Sequence, residues 1–134
     1  MRIAVCSGDT DERHHISKLT DELMLQHGLL PKISLFPMAL ELLESSARQV
    51  DPFDIIILSD HRDESILQRL CKLTSVILVG QRHIGPTAFE AGAAYFVESP
   101  VESEKLQKAL DHCVQLHKQN AFSPHTPGIF WRRA

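Results

Sequence analysis

The sequence has few cysteines and no long apolar run. Its three cysteines, Cys6, Cys71 and Cys113, are an odd number and lack the short paired spacings of a zinc ribbon or a disulfide framework. No stretch approaches the ~18 apolar residues that a membrane span needs. We therefore predict a soluble, unprocessed, cytoplasmic protein with reduced thiols and no membrane contact.

The sequence also lacks a charge imbalance. Its 14 Lys and Arg residues and 17 Asp and Glu residues give a formal charge of −3 and are scattered along the chain. A nucleic-acid-binding surface needs a basic patch or stripe, so we predict no direct nucleic-acid binding. A length of 134 residues suits one core and one domain.

Short apolar runs rich in β-branched residues recur along the chain and alternate with segments of helical spacing. Their near-continuous apolar character is typical of strands that are buried on both faces of a parallel sheet. Strands that alternate with amphipathic helices indicate right-handed crossovers. We predict an α/β fold with a five-stranded parallel sheet in a doubly wound three-layer sandwich. The predicted strands are Arg2–Cys6, Lys32–Phe36, Phe53–Leu58, Ser75–Val79 and Ala94–Glu98.

Two helix starts carry sequence signals. Asp9 and Glu12 have the spacing of a capping box, with Asp9 as N-cap. The segment Ser99-Pro100-Val101-Glu102 adds a proline at the first helical position, which predicts that the last helix starts after Ser99. Helical periodicity stops beyond Asn120, so we predict a domain over residues 1–119 and a tail or linker over 120–134.

The carboxyl ends of the strands are the expected position of a ligand site in such a sheet. The residues that follow four of the strands are Ser7-Gly8-Asp9, Ser59-Asp60, Gly80-Gln81 and Ser99-Pro100. Among them only Asp9 and Asp60 offer carboxylates, which could form a small acidic pocket for a cation.

The order of these segments resembles the receiver domain of response regulators, and the opening and the Phe36–Leu43 region are most similar to the LytR/AlgR type. The resemblance rests on Met1-Arg2-Ile3-Ala4-Val5-Cys6, on Phe53-Asp54-Ile55-Ile56-Ile57-Leu58 and on Gly92-Ala93-Ala94-Tyr95-Phe96-Val97-Glu98-Ser99-Pro100, and it covers about residues 1–118. It implies a flavodoxin-like fold and a role in two-component signalling or transcription regulation.

The positions that carry the chemistry of that family are all altered. The two acidic residues that hold Mg²⁺ fall on Ser7 and Gly8, and the phosphorylated aspartate falls on Ser59. The hydroxyl residue after the fourth strand falls on Gly80, and the lysine before the last proline falls on Ser99. Aspartyl phosphorylation needs a carboxylate, a hard cation and a positive side chain. We therefore predict a non-enzymatic pseudo-receiver with no metal and no cofactor.

The same resemblance implies a binding surface on the fourth and fifth helices and the fifth strand. It predicts a protein partner or a second copy of the chain, as in a homodimer. Phe96 matches an aromatic switch residue of the family, although a strand aromatic is more commonly a core residue. The predicted surface residues are Ile84, Ala88, Phe89, Tyr95, Phe96, Leu106 and Leu110.

The sequence leaves two alternatives to this function open and disfavours a third kind of site. Asp60 with Asp9 could bind Mg²⁺ and a phosphoryl group in an atypical receiver, although a one-residue shift of a buried strand is disfavoured. The chain could also be the sensory half of a larger transcription regulator, linked through residues 121–134. A metal site is disfavoured at His14-His15 and at His112, Cys113 and His117, because these residues do not share a helix face.

Overall fold

The computed structural model describes residues 1–48, 52–59 and 63–122, with side chains described up to residue 118. Five strands alternate with five helices, as the sequence predicted. The strands are β1 (Arg2–Cys6), β2 (Lys32–Phe36), β3 (Ile55–Leu58), β4 (Ser75–Gly80) and β5 (Tyr95–Glu98). The helices are α1 (Thr10–Gln26), α2 (Ala39–Arg48), α3 (Glu64–Leu73), α4 (Gly85–Ala91) and α5 (Ser103–Phe122), and a 3₁₀ turn at Arg82–Ile84 precedes α4.

The strands form one parallel sheet in the order β2-β1-β3-β4-β5. Strand β3 lies between β1 and β4 and consists of four fully buried apolar residues. Burial on both faces explains why this strand shows no polar alternation in sequence. The predicted doubly wound α/β fold is confirmed.

The sheet separates two apolar clusters. Ile55 and Ile57 of β3 pack in the cluster that α1 and α5 cover. Ile56 and Leu58 point the other way, into the cluster that α2, α3 and α4 cover. This alternation follows from the two-residue period of a strand and produces the three layers. Within the part of the chain that the structure describes, no helix is both long and apolar enough to cross a membrane.

The start of α5 differs from the prediction. The helix begins at Ser103, and not directly after Ser99, and the Ser99–Pro100 peptide bond is cis. Val101 is buried in the core, and the backbone N–H of Leu106 donates to the Glu102 carbonyl oxygen at 3.0 Å. Burial of Val101 therefore outweighs the local pattern that placed Pro100 in the first helical turn.

Helix α5 also continues to Phe122, past the predicted domain boundary at residue 119. Residues 123–134, most of the predicted tail, lie outside the described residues. The tail or linker stays a prediction.

Candidate functional site

The carboxyl ends of β1 and β3 lie side by side at the centre of the sheet. The chain leaves β1 toward β2 on one side and returns to β3 on the other, which makes this the point where a crevice forms. The backbone N–H of Ser59 donates to the Cys6 carbonyl oxygen at 2.8 Å, and that of Ser7 donates to the Phe36 carbonyl oxygen at 3.1 Å. The polar residues after the strands are therefore held at one edge, as predicted.

The carboxylate of Glu12 accepts hydrogen bonds from three serines at this edge. Ser7 Oγ donates to Glu12 Oε1 at 2.7 Å, and Ser59 Oγ donates to the same oxygen at 2.6 Å. Ser99 Oγ donates to Glu12 Oε2 at 3.3 Å. We call Ser7, Glu12, Ser59 and Ser99 the Ser–Glu cluster. Short O–H···O⁻ bonds are stronger than bonds between neutral groups, so the cluster ties α1 to the ends of β1, β3 and β5.

Helix α1 places Glu12 in its first turn. Asp9 is the N-cap, as predicted, because its Oδ1 accepts from the backbone N–H groups of Asp11 at 2.9 Å and Glu12 at 3.2 Å. In a full capping box the Glu12 side chain would accept from the Asp9 backbone N–H. That part of the prediction is wrong, because the Asp9 N–H donates to Ser7 Oγ at 3.1 Å. The Glu12 carboxylate accepts the serine hydroxyls, which are partly or fully removed from water and need a charged acceptor.

The predicted Asp9 and Asp60 pocket is described only in part. Asp9 is exposed, and its carboxylate is engaged as the cap of α1. Asp60 lies outside the described residues, so its pairing with Asp9 stays a prediction. Gly8 is exposed next to Asp9, and a Cβ at that position would come within 3.7 Å of the Pro37 carbonyl oxygen.

A cleft of about 360 Å³ opens next to the Ser–Glu cluster. Its lining residues include Ser59, Ser99, Gly80, Gln81 and His83. Gly80 contributes no side chain, so its position in the cleft offers no hydroxyl. Among the described residues, no group of three or more His, Cys, Asp or Glu side chains is arranged to hold a metal ion.

His15, His112 and Cys113, three of the residues considered as metal ligands, pack or bond within the fold. His15 Nε2 lies 2.9 Å from the Val101 carbonyl oxygen, and the His112 ring lies against Tyr95 with centroids 5.6 Å apart. Cys113 is fully buried, and this burial raises the pKa of its thiol to about 12. His15 therefore joins α1 to the segment before α5, and His112 joins α5 to β5.

The predicted interaction face is corrected at three positions. Ala88, Leu106 and Leu110 are 2%, 0% and 0% exposed, so they are core residues and are not accessible to a partner. The apolar stripe of α5 faces the sheet, because that is where its apolar area is removed from water. Phe89, by contrast, is 82% exposed.

The other predicted face residues are partly exposed. Ile84, Tyr95 and Phe96 are intermediate in exposure, and Tyr95 and Phe96 both line surface cavities. The Phe96 ring lies next to Gly85, where an added Cβ would be 3.7 Å from the ring. Phe96 also packs against the core cluster on the α2, α3 and α4 side of the sheet. Its role as a switch stays a prediction.

Comparison with known proteins identifies similar structures. No family model matches the chain, and no curated protein matches it. A response regulator receiver domain protein from Clostridium thermocellum is 17% identical with a TM-score of 0.72, over 88% of this chain and 97% of that one. The receiver domain of NtrX from Brucella abortus is 17% identical with a TM-score of 0.64, over 84% of this chain and 98% of that one.

A third similar structure comes from a protein of Burkholderia thailandensis assigned to pilus assembly, CpaE. It is 19% identical with a TM-score of 0.70, over 86% of this chain and 98% of that one. The chain therefore has the fold of response-regulator receiver domains over most of its length.

Proposed function

We propose that this chain is a pseudo-receiver that works without phosphorylation, as a protein-binding or dimerisation module in signal transduction or transcription regulation. It would act in the cytoplasm, without contacting nucleic acid or membrane itself. The observation that carries the proposal is the Ser–Glu cluster. The Glu12 carboxylate accepts bonds from Ser59 and Ser99, two positions where a working receiver has its aspartate and its lysine.

The chemistry of the cluster opposes phosphoryl transfer. Ser59 has no carboxylate to accept a phosphoryl group, and its hydroxyl donates to Glu12 at 2.6 Å. A phosphoryl group that entered the adjoining cleft would meet the Glu12 negative charge, whereas Ser99 supplies no positive charge to offset it. Gly80 supplies no hydroxyl to bind a phosphoryl oxygen. Each difference raises the free energy of a phosphorylated state.

The alternative uses Asp60 as phosphoryl acceptor and Asp9 as Mg²⁺ ligand. The Asp9 carboxylate already accepts two backbone N–H groups of α1. Binding a cation there would compete with the helix cap, which typically contributes about 1 kcal/mol. This contact favours the pseudo-receiver over the atypical receiver.

The test is treatment of the chain with acetyl phosphate and Mg²⁺, followed by intact-mass measurement, with an active receiver domain in the same tube as a positive control. We expect no phosphoryl adduct on this chain. An adduct that disappears in Asp60→Asn would support the atypical receiver and contradict the proposal. Sedimentation velocity over a range of concentrations would test separately whether the chain forms a dimer.

A further inference from the structure

Strand β5 forms one edge of the sheet. In the described part of the chain it pairs with β4 alone, so one side of its backbone faces away from the sheet. Two surface cavities of about 470 and 430 Å³ flank this strand. Tyr95 and Phe96 line both cavities, so the two adjoin along the strand. We call this surface the β5 groove.

The end of the β5 groove near the start of β5 is apolar. It is lined by Phe89, Ala93, Ala94 and Tyr95, with His112 at the side of the Tyr95 ring. Phe89 leaves most of its ring in water, at 82% exposure. Large exposed apolar residues beside a cavity are typical of a binding surface, since covering them releases free energy.

The other end of the β5 groove has more basic than acidic side chains. Its charged lining residues are Arg82, Lys105, Lys108 and Glu98. Arg82 is 3.5 Å from Glu98 and its side chain is 86% exposed, so this ion pair contributes little and leaves the cation accessible. The chain as a whole carries a formal charge of −3, so a cleft whose charged lining residues are three cations and one carboxylate is a local exception.

We propose that the β5 groove binds an extended, acidic peptide segment of a partner protein. The segment would lie along the edge of β5 as an added strand, which is a common mode of peptide recognition. A bulky apolar side chain would cover Phe89 and Tyr95, and carboxylates would lie near Lys105 and Lys108. The inference rests on the proposed binding function and names the class of partner.

The length of β5 sets the spacing of these two features in the peptide. Ala94 lines the apolar end and Glu98 the basic end, so the ends are separated by about 13 Å at the rise of about 3.3 Å per strand residue. Helices α4 and α5 cover opposite faces of the sheet, and the side chains of an added strand alternate between those faces. The apolar residue over Phe89 and the first carboxylate near Lys105 should therefore be about three or five positions apart. A parallel peptide would carry the apolar residue first, and an antiparallel peptide would carry the carboxylate first.

The experiment is selection of a phage-displayed library of random nine-residue peptides on the immobilised full chain, without Mg²⁺. Enriched peptides should combine an aromatic or branched aliphatic residue with Asp or Glu at that spacing. Fluorescence anisotropy with the most enriched peptide should then show binding that weakens by about tenfold or more in Phe89→Ser and in Lys105→Glu/Lys108→Glu.

Two variants outside the β5 groove serve as controls. Leu30→Ser removes an apolar side chain that is 79% exposed, and Lys18→Glu reverses an exposed charge on α1. Neither side chain lines the groove, so both variants should bind the peptide like the parent chain. Circular dichroism of all four variants would verify that the fold is unchanged.

Three results would overturn the inference. The first is a library without enrichment, the second is enriched peptides without carboxylates, and the third is binding that the groove variants leave unchanged. A dimer that Phe89→Ser dissociates, with no peptide enriched, would assign the groove to a second copy instead. Because selection needs no phosphoryl chemistry, acetyl phosphate labelling of the same sample would reveal a failure of the proposed function separately.

Discussion

Replacing Glu12 with alanine tests the central feature of the site. The substitution removes the acceptor of two bonds at 2.6 and 2.7 Å and of a third at 3.3 Å. A hydrogen bond to a charged group contributes about 1.5 kcal/mol at the lower end, and the long bond contributes about 0.5 kcal/mol. Partial solvation of the freed hydroxyls reduces the total, so Glu12→Ala should lower the free energy of unfolding by about 2 to 3 kcal/mol.

The expected change is large enough to measure by thermal and urea unfolding monitored by circular dichroism. For a domain of this size about 1 kcal/mol corresponds to roughly 4 °C, so the Tm should fall by about 8 to 12 °C. Alanine is at least as good a helix former as glutamate, so a loss of helix propensity would not explain the decrease.

The matched control is Glu22→Ala, an exposed glutamate on the same helix, which should change the unfolding free energy by less than about 0.5 kcal/mol. In a double-mutant cycle, Glu12→Ala and Ser59→Ala together should cost about 1 kcal/mol less than the sum of the single changes. If Glu12→Ala is as stable as Glu22→Ala, the hydrogen bonds of the Ser–Glu cluster do not stabilise the fold.

Further predictions concern the core, the surface and the thiols. In urea denaturation, Leu110→Ala, at a fully buried position, should lower the free energy of unfolding by about 2 to 5 kcal/mol. Phe89→Ala, at an exposed position, should lower it by less than about 0.5 kcal/mol. Equal losses would contradict the assignment of Leu110 to the core and Phe89 to the surface. Gly92→Ala should cost about 1 to 2 kcal/mol in the same assay, because Gly92 has φ +92°, and a neutral result would contradict that backbone conformation. Burial raises the pKa of the Cys71 thiol to about 11 and that of the Cys113 thiol to about 12, from an ordinary 9.0. At pH 8 the thiolate fraction of each cysteine in the native protein is therefore about a hundredth of that in the unfolded protein or less. A disulfide reagent should react slowly with both thiols until urea is added. Between pH 9 and about 11 or 12 the native thiols keep their protons while the unfolded ones lose them. The thiols should therefore have no effect on the free energy of unfolding below pH 9 and should lower it as pH rises above 9. Urea unfolding at several pH values, compared with a Cys113→Ala variant, would show this dependence.

The fold was largely predictable because its signals are local. Strand β3 is a run of four apolar residues flanked by polar ones, and Asp9 caps α1 as its sequence context indicated. The start of α5 was not predictable in the same way. The segment from Ser99 to Glu102 fits a helix start locally, whereas the structure buries Val101 before the helix begins at Ser103.

The site was predictable in its positions and not in its bonding. The strand ends indicated where Ser7, Ser59 and Ser99 would lie. Glu12 was missed because a capping box already explained its place in the sequence. Its bonds to Ser59 and Ser99 join residues 47 and 87 positions apart, and contacts at such separation depend on the strand order. The available signal was three serines at strand ends, whose hydroxyls need hydrogen-bond partners where they are removed from water.

The binding surface shows a similar division. Phe89 and Leu110 both lie on helices of the predicted face, yet Phe89 is exposed and Leu110 is core. Which side of α5 faces the sheet follows from its apolar stripe, which includes Leu106 and Leu110. Strict use of the helical period would therefore have removed both residues from the predicted surface.

The most direct test of the central claim is an NMR amide titration of the chain with Mg²⁺ and then with beryllofluoride, a phosphoryl mimic. If Glu12 and the serines have replaced the phosphoryl site, the amide signals of Ser7, Glu12, Ser59 and Ser99 should not move. Saturable shifts at Ser59 and Ser99 that depend on Mg²⁺ would contradict the account and would show that the cleft still binds a phosphoryl group.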